Sequence, residues 1–290
     1  MESIEITSGA NAGDAQAPRG ERSFFPIIVL VLVLGAIGWM CTDSFRARLD
    51  DTDLAAALRA DATTTKAQHA AEELSKRIVE EIDKGGAPRG ARVSTFYPGL
   101  IALASMPDPE KRKAAAWAMQ FDRKEPSFDA PLRTLLDDKD PYVARNAASS
   151  LAVRASDAGR DVLLSMLRPY DIKAPIGGKA VIILHKGDPV ASGHRIARIE
   201  LAKGEAEIFS PIDGRATAVA ADGTTLKEGD VIASVLSQAS ALHAMQALVL
   251  PGIGRREDAD AIERFLDAYR DADGKVLDQA KAAIAMLKLR

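Results

Sequence analysis

A single cysteine, Cys41, in 290 residues excludes an internal disulfide and any cysteine-built zinc or iron–sulfur site. Histidine is nearly as scarce, and His69, His185, His194 and His243 leave little material for a metal cluster. Net positive charge is missing too. The formal balance is −3, without the broad field that nucleic-acid binders hold against phosphates, so no nucleic-acid partner is expected. The catalytic signatures are absent as well: no Gly-x-Ser-x-Gly elbow, His-Glu-x-x-His helix, phosphate-binding Gly-Lys-Ser/Thr loop or dinucleotide fingerprint occurs. Gly177-Gly178-Lys179 lacks the spacing of a phosphate loop and reads as a turn, while His185 and His194 flank Gly187-Asp188 without a third ligand. The acidic runs Asp137-Asp138-Lys139-Asp140 and Arg255-Arg256-Glu257-Asp258 read as helix caps and loops. The expectation is a chain with no enzymatic activity, no metal site and no resident cofactor.

What is present is an ordinary globular composition, 47% apolar and 27% charged, over a length that suits one large or two to three small domains. One stretch departs from it. Ser23 to Thr42 carries no charge, and its core from Phe24 to Cys41 is long enough, at about 1.5 Å per residue, for a helix that spans a bilayer. Pro26 falls in the first turn and Trp39 at an interfacial position, and bulky residues before Cys41 argue against signal-peptide or lipoprotein cleavage. A transmembrane helix over 24–41 is therefore expected, contacting the lipid bilayer, with residues 1–23 a disordered tail. The flanking arginines (Arg19 and Arg22 before, Arg46, Arg48 and Arg59 after) do not fix its orientation. The cysteine-free remainder suits an oxidising compartment. The expected location is the bacterial inner membrane, single-pass, with the bulk of the chain periplasmic.

Beyond the span, residues 43–90 are rich in Ala, Leu, Glu, Lys and Arg, which predicts a helical stalk broken near Asp61 to Thr65. A repeat follows over 92–170. Asp108-Pro109 and Asp140-Pro141 each place a capping carboxylate before a proline at the first helical position, 32 residues apart. At that offset Lys113 falls on Arg145, Ala115-Ala116 on Ala147-Ala148, Met119 on Leu151, Leu132 on Leu164 and Leu135 on Leu167. Paired helices with small residues on the inner face resemble HEAT-type repeats, in which stacking buries what no single repeat could. Asp273, Val276, Ala280 and Ile284 repeat the spacing of Asp140, Val143, Ala147 and Leu151, so the array is expected to resume over 238–290.

Between these parts, residues 171–237 lose the helical period, and Gly and Pro punctuate short β-branched runs, as strands require. The segment is duplicated at an offset of 36: Pro175-Ile176-Gly177-Gly178 falls on Pro211-Ile212-Asp213-Gly214, Gly187 on Gly223, Val190 on Leu226, Gly193 on Gly229, Ile196 on Ile232 and Ala197 on Ala233. On these residues the segment resembles the biotinyl/lipoyl-like, or barrel-sandwich hybrid, family. The resemblance implies a flattened barrel of two interlocked half-motifs about a pseudo-twofold, with Val190, Leu226, Ile196 and Ile232 facing inward. The predicted fold class is thus multi-domain α + β: a transmembrane helix, HEAT-like helical repeats and an inserted all-β barrel-sandwich hybrid.

In carrier members of that family the hairpin between the half-motifs presents a lysine that bears biotin or lipoate. Lys203, eight residues before Pro211, stands at the equivalent place, although Ala202 and Gly204 match neither the methionine flanks of biotin acceptors nor the Asp and Ala flanks of lipoyl acceptors. Membrane-fusion, or periplasmic adaptor, proteins form a second branch, with a long helical hairpin between the half-motifs. Here about a dozen residues make that connection, so their tunnel-building role does not carry over. The functional expectation is a membrane-anchored scaffold or accessory subunit of a bacterial membrane protein complex, binding protein partners through the array and the barrel. The alternatives are a biotin or lipoate carrier using Lys203, and an export-system adaptor, which would self-associate in a ring.

Overall fold

The computed structural model describes residues 48–83, 85 and 90–290. Its helical part begins with α1 (Asp51–Ala57) and α2 (Thr64–Ile78), then α3 (Tyr97–Leu103), α4 (Pro109–Ala118), α5 (Asp129–Thr134), α6 (Pro141–Val153) and α7 (Arg160–Ser165). Helices α8 (Gln238–Leu248), α9 (Ala259–Ala268) and α10 (Gly274–Lys288) follow the β domain. The starts are set by local chemistry. Asp108 Oδ1 accepts from the Glu110 N–H at 2.9 Å, and Asp140 Oδ1 from the Tyr142 and Val143 N–H groups at 2.8 and 3.2 Å, each ahead of its proline. Asp273 does the same for Lys275 at 2.8 Å, so each of the three aspartates expected to open a helix does so.

Among the described residues the ten helices form five pairs. The second helices of the pairs, α2, α4, α6, α8 and α10, stack one on the next in a continuous inner row. Ala115, Ala116, Ala147, Ala148 and Ala280 are fully buried there, and the absence of larger side chains lets the backbones close up. Ser150 Oγ donates to the Ala116 carbonyl at 2.7 Å, stitching α6 to α4.

Two expectations change. The described residues of the helical stalk expected over 43–90 pack into the array: Ala67, Ala70, Ala71, Leu74 and Ile78 of α2 are buried in one cluster with Leu100, Met119 and Leu151, so α1 and α2 are the first pair among the described residues. The helix break expected near Asp61 does fall there, between α1 and α2. The second correction concerns the membrane. Among the described residues no helix is long and apolar enough to cross one. The longest, α2 and α10, have 15 residues, against roughly 20 for a span. The single-pass element of the fold class, the bilayer contact through 24–41 and the inner-membrane, periplasmic location are withdrawn on this finding. Residues 24–41, like the tail over 1–23, lie outside the described residues.

The β domain divides the fourth helical pair, between α7 and α8. It comprises β1 (Tyr170–Lys173), β2 (Gly178–Ile182), β3 (Pro189–Val190), β4 (Arg195–Glu200), β5 (Glu205–Phe209), β6 (Gly214–Val219), β7 (Thr225–Leu226) and β8 (Val231–Leu236). They form two four-stranded antiparallel sheets, ordered β1-β8-β6-β3 and β5-β4-β2-β7. Adding 36 to the residue numbers turns the first half-motif into the second, and one sheet order into the other. The register follows: Tyr170 pairs Val235 as Ala206 pairs Ile199, with a bulge at the same place in both ladders. The turns obey it too. The Ala174 N–H donates to the Asp230 carbonyl and the Ser210 N–H to that of His194, each at 2.8 Å.

Gly178 and Gly214 show why those positions exclude a side chain. A Cβ on Gly178 would fall 2.6 Å from the Glu200 carbonyl oxygen, and one on Gly214 would collide with that of Leu236, the equivalent atom of the other half. Val190, Ile196, Leu226 and Ile232 all point into the shared barrel core.

Candidate functional site

Strands β4 and β5 form the hairpin that joins the half-motifs. Glu200 lies opposite Glu205, and the Leu201 N–H donates to the Gly204 carbonyl at 3.1 Å, leaving Ala202 and Lys203 at the tip. Gly204 takes φ of +82°, the left-handed residue that closes a turn of this kind. Below the tip, Arg198 pairs with Glu205 at 3.2 Å and Arg195 with Glu207 across the two strands. Lys203 is exposed and makes no hydrogen bond or ion pair among the described residues. The pseudo-twofold adds its position in the molecule. The features equivalent to this hairpin are the beginning of β1 and the end of β8, where the chain arrives from α7 and departs into α8. A twofold sets equivalent features across its axis, so Lys203 stands on the pole away from the attachment to the array.

Another part of the barrel meets the array directly. In the first turn of α6, the Tyr142 hydroxyl donates to Asp213 Oδ2 at 2.5 Å and accepts from the Asp213 N–H at 2.7 Å. Asp213 Oδ1 accepts in turn from the Ser192 N–H at 2.8 Å. The bond to Tyr142 and that to the Ser192 amide hold the Asp213 carboxyl below the usual carboxylate range. Burial, with the same carboxylate as neighbour, pushes the Tyr142 hydroxyl up to about 12.

One turn further along α6 is Arg145, only 7% exposed. Its guanidinium carbon lies 5.8 Å from the Tyr142 ring centre and 5.9 Å from that of Tyr170, the first residue of β1. Its Nη1 donates to Ser240 Oγ of α8 at 3.1 Å. Burial pulls its pKa below the ordinary guanidinium value, because the rings and one hydroxyl replace water without a bonded carboxylate. Arg145 thus ties the third helical pair to the first strand of the inserted domain and to the helix that follows its last strand.

The junction of Tyr142, Arg145, Tyr170, Asp213 and Ser240 is what sequence reasoning missed. One signal for it does exist. The turn Pro211-Ile212-Asp213-Gly214 has Asp where its duplicate Pro175-Ile176-Gly177-Gly178 has Gly, and it is the departing residue that makes the contact.

Comparison with known proteins agrees with this division. Residues 97–173 match the family model of HEAT repeats, and residues 171–235 match that of biotin-requiring enzymes. No curated protein matches the chain. The two matched regions point to a protein-interaction or carrier role, built from HEAT repeats and a lipoyl/biotin-type domain side by side.

Proposed function

We propose that this chain is a non-enzymatic scaffold or accessory subunit, whose helical array binds other proteins and holds the barrel in a fixed orientation toward them. One observation carries the reading: the barrel is clamped. It is spliced into a helical pair by connections of a few residues, and the Tyr142–Asp213 bonds and the Arg145 contacts lock it to α6. A swinging carrier domain works through free movement between distant active sites, and such a clamp removes that freedom. A rigidly held module presents a surface of fixed geometry instead, as docking requires.

The second reading, a biotin or lipoate carrier, is favoured by Lys203 itself. Its amine is exposed at a hairpin tip on the pole away from the array. The tip fits an attached group, which Lys203 would hold through an amide at Nζ. Ala202 and Gly204 do not supply the flanks of known acceptor sequences. The test is the intact mass of the chain purified from its own cells, with fragments mapped across Lys203, beside the stoichiometry of whatever complex purifies with it. An unmodified lysine in a complex of defined stoichiometry is the expected result. A biotinyl or lipoyl mass on Lys203 would overturn the scaffold reading in favour of the carrier.

A further inference from the structure

The fourth and fifth helical pairs leave a groove of about 460 Å³ between their first helices, α7 and α9. Half-buried Leu164, Pro169 and Tyr269 give it its apolar surface, with Leu167 and Phe265 almost wholly buried behind them. Its charged groups are unequally satisfied. Glu257 and Asp258 face it, but Arg160 takes both: Nε donates to Asp258 Oδ2 at 2.9 Å and Nη2 to Glu257 at 3.2 Å. The Arg255 N–H donates to Asp258 Oδ2 at 2.8 Å as well. The acids of α9 itself, Asp260, Glu263 and Asp267, do not line the groove, and the latter two pair with Lys288 and Arg270. Arg168 and Arg264 line the same groove, are exposed, and have no hydrogen bond or ion pair among the described residues. A chain with a net charge of −3 therefore carries a groove whose unspent charge is positive and lies beside apolar surface.

We infer that this groove docks an acidic peptide segment of a partner protein, one that places two carboxylates beside bulky aliphatic side chains. The inference rests on the scaffold reading and names the partner chemistry for one of its surfaces. Arg168 follows α7 and Arg264 lies within α9, so the two guanidiniums come from separate walls and suit two carboxylates spaced along one chain. The aliphatic groups would cover the half-buried Leu164, Pro169 and Tyr269, while the two arginines meet the carboxylates at the exposed rim of the groove.

The experiment uses the full chain and three labelled twelve-residue peptides followed by fluorescence anisotropy: one of Glu and Leu, one with Gln for each Glu, and one with Gly for each Leu. Binding of the Glu/Leu peptide alone is expected, and R168A/R264A should weaken it about tenfold, the effect of two partly exposed ion pairs. The variant R168E/R264E should reverse the preference toward a Lys/Leu peptide, which an unfolded chain could not do. Equal binding of the Gln/Leu peptide, or unchanged binding by R168A/R264A, would overturn the inference. So would self-association of the chain abolished by R168A/R264A, which would make the occupant a second copy. The scaffold reading is separable. If the co-purifying complex persists in R168A/R264A, the groove assignment fails and the scaffold stands; if the wild type binds the Glu/Leu peptide but purifies with no partner, the reverse holds.

Discussion

The two Pro-Ile-x-Gly turns of the barrel are copies of one another, yet Ile212 is 0% exposed and Ile176 is 42% exposed. Strand order, register and turn hydrogen bonds are shared between the halves, so barrel topology does not account for the difference. It arises where the symmetry ends. The turn at Pro211 carries Asp213 and meets Tyr142 of α6; the turn at Pro175 carries Gly177 and faces solvent. A duplicated module thus contains its own control: one turn shows what the fold alone dictates, the other what docking onto the array adds.

The comparison breaks most sharply at the buried isoleucine. Ile212→Ala should cost about 3 kcal/mol of unfolding free energy, since it deletes a wholly buried aliphatic side chain and leaves a cavity. A change under about 1 kcal/mol in a denaturant titration would mean that the docked turn is loosely packed, and the clamp would lose its physical basis.

Next in size is the hydroxyl of the clamp. Tyr142→Phe should cost about 2 kcal/mol, the range for a hydrogen bond to a charged acceptor, because Asp213 and its N–H lose their partner together. The sign of the pH dependence follows from the two shifts. Asp213 titrates below its ordinary value of 3.8 when folded, so its contribution is present above about pH 4 and is lost as the pH falls through the lowered value. Tyr142 titrates near 12 when folded against 10.0 when unfolded, so its contribution is complete below pH 10 and is lost as the pH rises toward 12. Unfolding titrations across both windows should show the wild type losing stability faster than Tyr142→Phe at each extreme. Parallel curves would show that the bond contributes nothing.

How much of this was legible in the sequence depends on the range over which each feature is determined. The 36-residue duplication was, because proline fixes φ and Gly178 and Gly214 pass close to a carbonyl, requirements that one short stretch must meet on its own. The Asp-Pro helix starts at 108 and 140 were legible for the same reason. What covers an apolar face is not a local property. Ala67, Ala70, Ala71 and Leu74 announce a helix with a buried side, but nothing near them in sequence says that α4 will supply the cover, and the stalk reading failed there. Tyr142 and Asp213 are 71 residues apart, and only the Gly-to-Asp departure between the two turns hinted that one of them has a partner.

The free turn provides the smaller effects. Ile176→Ala should change unfolding free energy by no more than about 0.5 kcal/mol, since the side chain already has much of its surface in water. A loss approaching that of Ile212→Ala would show the two turns to be equally packed and would erase the distinction on which the clamp was recognised.

Lys203→Ala should have the least effect on the fold, within about 0.5 kcal/mol, because the side chain is exposed at the turn tip and Gly204 remains to close it. Its value lies in separating the two functional readings. A scaffold presents the barrel by its shape and by the clamp at Tyr142, and neither depends on an amine at the opposite pole, so the complex that purifies with the wild type should purify with Lys203→Ala at the same stoichiometry. A carrier loses its attachment point and with it all function, while folding as well as before. Tyr142→Phe sharpens the contrast. Loosening the clamp should weaken a scaffold's complex while leaving the lysine intact, whereas a carrier would gain mobility and keep its attached group. The pair of variants therefore moves the two readings in opposite directions, and measuring complex stoichiometry and Lys203 mass on both decides which pole of the barrel does the work.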